Sequence, residues 1–245
     1  MGSEYTMEQE LIWLREKYPD EADFSSALAR YRAGEPLAYL LGEQYFWRYR
    51  FTVTPDVLIP RPDTERLVEA ALSVLPPNGR FADLCTGSGA IVLSIAADRP
   101  DLTADALDIS EAVLAVARTN QNDLNVGERV RFWRADLFTE DPLVGLYDAI
   151  LSNPPYIPAA DIARFPSLAY EPQIALDGGE DGMDFYRAIL TRFAHHLKEG
   201  GCFLFEIGYD QGEQIRALAE ANGYACTVTK DYGGNDRVAK LTKLT

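Results

Sequence analysis

Asp83-Leu84-Cys85-Thr86-Gly87-Ser88-Gly89 decides the architecture, because it joins a short apolar strand to a helix through a glycine turn. Arg80–Leu84 reads as the strand and residues 90–97 as the helix. Glycine in such a turn lets the backbone come close to a ligand, and the free N–H groups at a helix start favour a carboxylate or phosphate. Two acids follow at later strand ends. Asp108 lies 21 residues after Gly87, where an acid suits a two-pronged grip on ribose hydroxyls, and Asp136 comes just after the third strand.

Outward from the turn, strand and helix patterns alternate. A helix over residues 67–75 precedes it. A strand over 104–109, a helix capped by Ser110 and running to Asn120, and the strands Val130–Arg134 and Tyr147–Ser152 follow. Phe185, Ile189, Phe193 and Leu197, four apart, predict a helix over residues 183–197. A strand over 201–207, a helix over 211–221 closed by Asn222-Gly223, and strands over 225–230 and 237–242 complete the pattern. Repeated units of this length predict an α/β fold, a doubly wound sheet with helices on both faces. Ligands of such sheets bind beyond the carboxyl ends of the strands.

Before this region, Leu11, Leu14, Phe24, Ala27, Leu28 and Tyr31 stand at helical spacing, interrupted by Pro19-Asp20. Gly34-Glu35-Pro36 ends that piece, and residues 44–53, rich in aromatic and β-branched side chains, read as a hairpin. The expected organisation is a small helical N-terminal element (1–33), a hairpin linker (34–56) and one larger domain (57–245). Met1-Gly2-Ser3 reads as an added leader ahead of Met7, and no structural role is expected of it.

The ligand at the glycine turn is narrowed by Val92. A dinucleotide fingerprint needs a third glycine there for close helix–strand packing, so a mononucleoside such as S-adenosylmethionine fits better. A second motif, Asn153-Pro154-Pro155-Tyr156, leaves the neighbouring strand. Two prolines remove two donors and fix two φ angles, giving a stiff loop, and Asn153 is pushed out of helical geometry by the proline after it. Such a turn serves a planar, conjugated NH2 group, whose lone pair is committed to its π system. The Asn153 side-chain oxygen and the Pro154 carbonyl are the candidate acceptors for its two hydrogens, with Tyr156 stacking over its plane.

Bulk properties exclude other classes. The net charge is −15, which weighs against nucleic acid as the main partner. No apolar run spans a bilayer and the N-terminus lacks a signal pattern, so a cytoplasmic enzyme with no membrane association is expected. Cys85, Cys202 and Cys226 form no CxxC pair, and His195 and His196 are expected to point to different sides of a solvated helix end; no metal site is expected.

The whole set resembles the class I methyltransferases of planar amino groups, and further motifs narrow it. Residues 34–42 (GEPLAYLLG), 58–65 (LIPRPDTE), 171–176 (EPQIAL), 178–182 (GGEDG), Glu206-Ile207-Gly208 and Asp236-Arg237 are similar to the bacterial peptide chain release factor glutamine methyltransferases, here with a shorter N-terminal helical part than is usual there. The resemblance implies a Rossmann-like seven-stranded sheet with its last hairpin antiparallel to the rest. It implies N5-methylation, from S-adenosylmethionine, of the glutamine in the Gly-Gly-Gln loop of class-1 release factors. The cofactor residues would be Cys85, Thr86, Gly87, Ser88, Gly89, Asp108, Asp136, Leu137 and Asn153; Asn153, Pro154, Pro155 and Tyr156 would meet the substrate, with Asn153, Pro154 and Tyr156 catalytic. Cys85 stands where many relatives have glycine. A ribosomal-protein glutamine methyltransferase ranks second, an adenine-N6 methyltransferase of nucleic acid third, and a catalytically silent cofactor-binding module is the alternative from another class.

Overall fold

The computed structural model describes residues 6–244; Met1-Gly2-Ser3 lies outside them. Thr6 caps α1 (Met7–Lys17) and Asp20 caps α2 (Glu21–Arg32), the Asp20 carboxylate accepting from the Ala22 and Asp23 amides. The chain then makes α3 (Leu37–Leu41), a single turn of helix that the sequence reading folded into the linker. Leu14, Ala27 and Leu40 form a small apolar cluster of their own. Tyr39, on the other side of α3, packs with Val53, Val57, Ile59, Val113 and Val116, and its hydroxyl donates to the Val57 carbonyl at 2.6 Å. The strands β1 (Glu43–Phe46) and β2 (Tyr49–Thr52) pair antiparallel as the expected hairpin.

The main sheet contains β3 (Arg80–Leu84), β4 (Thr103–Asp108), β5 (Val130–Arg134), β6 (Tyr147–Ser152), β7 (Leu197–Glu206), β8 (Tyr224–Lys230) and β9 (Asp236–Lys243), in the order β5-β4-β3-β6-β7-β9-β8. The first five are parallel; β9 runs antiparallel to both β7 and β8. Two reversals restore the direction, so only β9 opposes the rest, a correction to the expectation that the whole last hairpin does. The order turns back on itself between β3 and β6, and this is where a crevice opens at the carboxyl ends.

Strand alternation sorts the core. Phe81, Ala149, Leu151 and Leu204 face α4 (Glu65–Val74) and α5 (Ala90–Asp98), while Ala82, Leu84, Ile150, Phe203 and Phe205 face α7 (Asp184–Arg192) and α8 (Gly212–Ala221). Helix α6 (Glu111–Asp123) carries Asn120, fully buried, which accepts from the Thr52 amide at 2.7 Å and donates to the Thr52 and Ser88 carbonyls at 3.0 and 2.9 Å. One amide thus ties the hairpin to the glycine turn. Helix α7 ends earlier than expected: Phe193 closes it, a 3-10 turn spans Ala194–His196, and Leu197 already begins β7.

Candidate active site

The buried strand β3 delivers the chain into a turn with three left-handed residues in five, Cys85 (φ 62°), Gly87 (57°) and Gly89 (80°). The Thr86 hydroxyl, donating to Asp83 at 2.6 Å, and the Thr86 amide, donating to Leu107 O at 2.9 Å, hold it. The left-handed backbone at Cys85 is one that suits glycine; a cysteine must carry the strain. Burial pushes its thiol well above the usual range, with the Asp108 and Asp83 charges adding to the effect, so it stays neutral. A Cβ on Gly87 would meet nothing within 4 Å, which leaves its backbone open to the cavity.

Asp108, at the end of β4, accepts from the Gly87 amide at 3.0 Å and from the Ser110 amide at 3.1 Å. It therefore braces the turn. A carboxylate offers about four acceptor positions, so these amides leave it capacity for a ligand. Burial raises its pKa, partly offset by these amides. Asp136 accepts from the Phe138 amide at 2.9 Å and the Thr139 hydroxyl at 3.2 Å, so it caps the turn after β5.

Across the crevice, the Ser152 hydroxyl donates to Leu84 O at 2.6 Å and pins the end of β6 to the end of β3. Asn153 follows, its Nδ2 donating to Thr64 Oγ1 at 3.3 Å. The Tyr156 hydroxyl donates to Glu206 Oε1 at 3.4 Å, and Gln211 Nε2 donates to the Tyr156 and Gly182 carbonyls, both at 3.1 Å. A Cβ on Gly182 would lie 2.3 Å from Tyr156 O, so the glycine-rich stretch 178–182 is the seat on which the proline turn rests. Glu171 does the same for the segment before α4: it accepts from the Ile59 amide at 3.1 Å and forms an ion pair with Arg61. Motifs far apart in sequence thus hold one another around a single opening.

That opening is a cavity of about 340 Å³, within the usual range for small ligands. Cys85, Thr86, Gly87, Ser88, Asp108, Asp136, Leu137, Asn153 and Pro155 line it. Gly89, Pro154 and Tyr156 do not: Gly89 packs under α5 against Leu93, Pro154 is buried, and Tyr156 is aimed at Glu206. The sequence reading missed the segment Leu58–Arg61, Thr64, and the wall made by Phe138 and Phe185, which meet edge to face at 4.9 Å. Phe185 carried a signal, its place on the apolar stripe of α7, but that stripe equally suits a core residue. The donor set fits a nucleoside: free acceptor capacity at Asp108 for a diol, open backbone at Gly87, and the apolar Ile109, Leu137 and Phe138 for a base.

The two histidines behave differently from expectation. Their rings lie 4.0 Å apart and both Nε2 atoms face Asp141, at 3.0 Å from His196 and 3.6 Å from His195. His196 is buried and its Nδ1 lies 2.8 Å from the Gly145 carbonyl. The pair does not project to opposite sides of a helix; both rings turn to the one carboxylate, on a 3-10 turn that spans residues 194–196. Among the described residues this is the one His/Cys/Asp/Glu cluster with ligand spacing, and it sits by the amino ends of β6 and β7, away from the cavity.

The family described as "Methyltransferase small domain" matches residues 64–165. The chain is similar to a release factor glutamine methyltransferase of Neisseria gonorrhoeae, with 45% identity covering 96% of this chain and 88% of that one. A release factor glutamine methyltransferase of Moorella thermoacetica is 46% identical over 87% of this chain and 77% of its own length. The fold is shared with a methyltransferase from Pyrococcus furiosus (TM-score 0.61, 20% identity, 90% of this chain and 100% of that one). It is shared too with a ribosomal protein L11 methylase from Lactobacillus delbrueckii (TM-score 0.56, 18% identity, 82% and 90%). The sheet is that of the class I methyltransferases. Among the described residues no helix is long and apolar enough to cross a membrane.

Proposed function

The chain belongs to the release factor glutamine methyltransferases, and from that premise we propose that it methylates the side-chain nitrogen N5 of the glutamine in the Gly-Gly-Gln loop of class-1 peptide chain release factors, drawing the methyl group from S-adenosylmethionine. The observation that carries the reading is that Asn153 opens onto the same cavity as Gly87 and Asp108. Nucleoside-binding and amide-orienting groups therefore serve one reaction centre.

Cys85 to Ser88, Asp108, Asp136 and Leu137 would hold the cofactor, with Asp108 on the ribose hydroxyls and Leu137 beside the base. When bound, S-adenosylmethionine supplies an electrophilic methyl group on a sulfonium. The residues of the chain solve the other half of the problem. A carboxamide nitrogen attacks poorly because its lone pair is delocalised, so the site must fix its direction and stabilise the positive charge that grows on it. Asn153 Oδ1, on the cavity wall, accepts one of its N–H bonds and does both; the Pro154 carbonyl would take the other, although Pro154 itself is buried behind that wall. Pro155 stiffens the turn and Tyr156 holds its far end through Glu206. No histidine lines the cavity, and none is required, since the charged nitrogen that results is acidic enough to lose its proton without a tuned base.

The net charge of −15 disfavours the nucleic-acid alternative, and the ribosomal-protein alternative is weakened by Arg61-Pro62-Asp63-Thr64-Glu65, where relatives of that kind tend to carry Arg-Ser-Pro. The test is mass spectrometry of a class-1 release factor incubated with the protein and S-adenosylmethionine. One methyl group on the Gly-Gly-Gln glutamine is expected. No transfer, or equal transfer to a release factor carrying alanine at that glutamine, contradicts the proposal.

A further inference from the structure

Away from the cavity, one cluster of side chains is arranged as a ligand set would be. Its members come from two turns at the amino ends of the sheet: Asp141 shortly before β6, and His195 and His196 just before β7. His196 is held in place. Its ring packs against Tyr147 and Phe193, with centroids 6.1 and 6.4 Å away, and its Nδ1 lies 2.8 Å from the Gly145 carbonyl. A carbonyl only accepts, so Nδ1 carries the proton, and the Nε2 of the neutral ring bears a lone pair. That lone pair faces both Asp141 oxygens, at 3.1 and 3.0 Å. Asp141 is oriented in turn, its Oδ1 accepting from the Leu143 amide at 3.2 Å. Acceptor facing acceptor at this distance calls for a cation between them.

One proton would satisfy His196 and Asp141, but His195 converges on the same point. Its Nε2 lies 3.6 Å from Asp141 Oδ2, and all three ligand atoms fall within 4.8 Å of one another. Two cationic rings with centroids 4.0 Å apart would repel, whereas a metal ion needs neither ring charged. Zinc binds imidazole nitrogen and carboxylate oxygen at about 2.0–2.2 Å, so neighbouring ligand atoms of a tetrahedral site lie roughly 3.3–3.5 Å apart. The edges of 3.0 Å from His196 and 3.6 Å from His195 bracket that value. We propose that Asp141, His195 and His196 bind one divalent transition-metal ion of the zinc class, with water completing its shell. Magnesium and calcium fit poorly, since they take oxygen ligands. The His196 Nδ1–H on the Gly145 carbonyl is the kind of outer contact that orients a metal-bound imidazole. No motif announces the site, because Asp141 and His196 are 55 residues apart, and the proposal replaces the expectation from sequence that no metal is bound. The ion would clamp the turn before β6 to the turn before β7, remote from the cavity and independent of the methyl-transfer reading.

The test has two readouts, and methylation enters neither. Zinc titrated into the metal-free chain by calorimetry should bind at one ion per chain and, at about 100 times its Kd, raise the melting temperature by roughly 5–10 °C. Asp141→Asn, which keeps an acceptor for the Leu143 amide, should weaken binding by about tenfold or more. His195→Ala, at an exposed position where the fold is not at stake, should weaken it by a similar factor. Cobalt is the second probe. The chain has two histidines, so imidazole coordination can arise only here. A visible cobalt spectrum without a thiolate charge-transfer band is expected, lost in both variants and displaced by zinc. Absence of zinc binding leaves a plain ion pair between His196 and Asp141 and overturns the proposal. Binding undiminished in both variants, or a thiolate band that places the metal on a cysteine, overturns it as well.

Discussion

The two ends of the sheet both shield carboxylates from solvent and treat them in opposite ways. Toward the amino ends, Asp105 is 2 % exposed and accepts from Arg80 at 2.6 Å, Trp133 at 2.8 Å and Tyr147 at 2.9 Å. Burial works to raise its pKa, and these donors outweigh it and hold the carboxyl below the usual range. At the carboxyl ends, Asp83 and Glu206 are equally hidden from solvent and more deeply enclosed, one oxygen of each has no hydrogen-bond partner, and burial pushes both up to about 7. Asp105 joins three neighbouring strands, which is a folding task. Asp83 stands behind the glycine turn and Glu206 behind Tyr156, beside the candidate site, where incomplete satisfaction is tolerated.

If this contrast is real, perturbing the amino end should cost stability most. Asp105→Ala strands a partly buried guanidinium and two donors, and a loss of about 3–5 kcal/mol in denaturant unfolding is expected. The folded-state pKa of Asp105 is depressed, so its contribution is complete above the unfolded value near ~4 and disappears as pH falls through the lower folded value. A loss below about 1 kcal/mol would erase the contrast.

At the carboxyl end the next largest effect should fall on binding. If Asp108 holds the ribose as proposed, Asp108→Ala should remove charge-assisted hydrogen bonds worth on the order of 1.5–3 kcal/mol, or about 10–150-fold in S-adenosylmethionine affinity by calorimetry. Unchanged affinity would restrict Asp108 to bracing Gly87. The smallest effect concerns Asp83. Its pKa is raised, so the unfolded chain gives up a proton between about pH 4 and about pH 7 while the folded protein retains it, and stability declines as pH rises through that window. Asp83→Asn has no such slope. Its melting temperature, relative to wild type, should therefore improve from about pH 5 to about pH 8 by roughly 2–4 °C. A difference that is the same at both pH values would mean that Asp83 is not held protonated.

Much of this was legible in residues whose neighbours are local. Strands β3 and β6 announce themselves through short, largely apolar stretches that run into a glycine or proline turn, and Asp20 and Ser110 cap the helices expected of them. Errors arose where a pattern outlives its cause. Phe193 and Leu197 continue the four-residue spacing of α7, but Phe193 is buried as the cap and Leu197 belongs to a strand. Five residues of α3 are too few to show a period. Of the site, the motif residues were readable because a turn's chemistry is written in consecutive letters. Thr64 and Glu206 lie in family motifs, yet their contacts, like the wall that Phe138 forms, were not readable, since they reach across 50 to 89 residues or exist only in the folded protein.

The most direct test of the account compares Asn153→Ala with wild type in two measurements on the same preparations, S-adenosylmethionine affinity and single-turnover methylation of a class-1 release factor. If Asn153 orients the amide and takes up charge only as the methyl arrives, its loss falls on the chemical step. Removing one such placed group typically costs about 3–4 kcal/mol, near 10²–10³ in rate. The account predicts that slowing with cofactor affinity changed only a few-fold; wild-type turnover by Asn153→Ala, or a loss confined to cofactor binding, contradicts it.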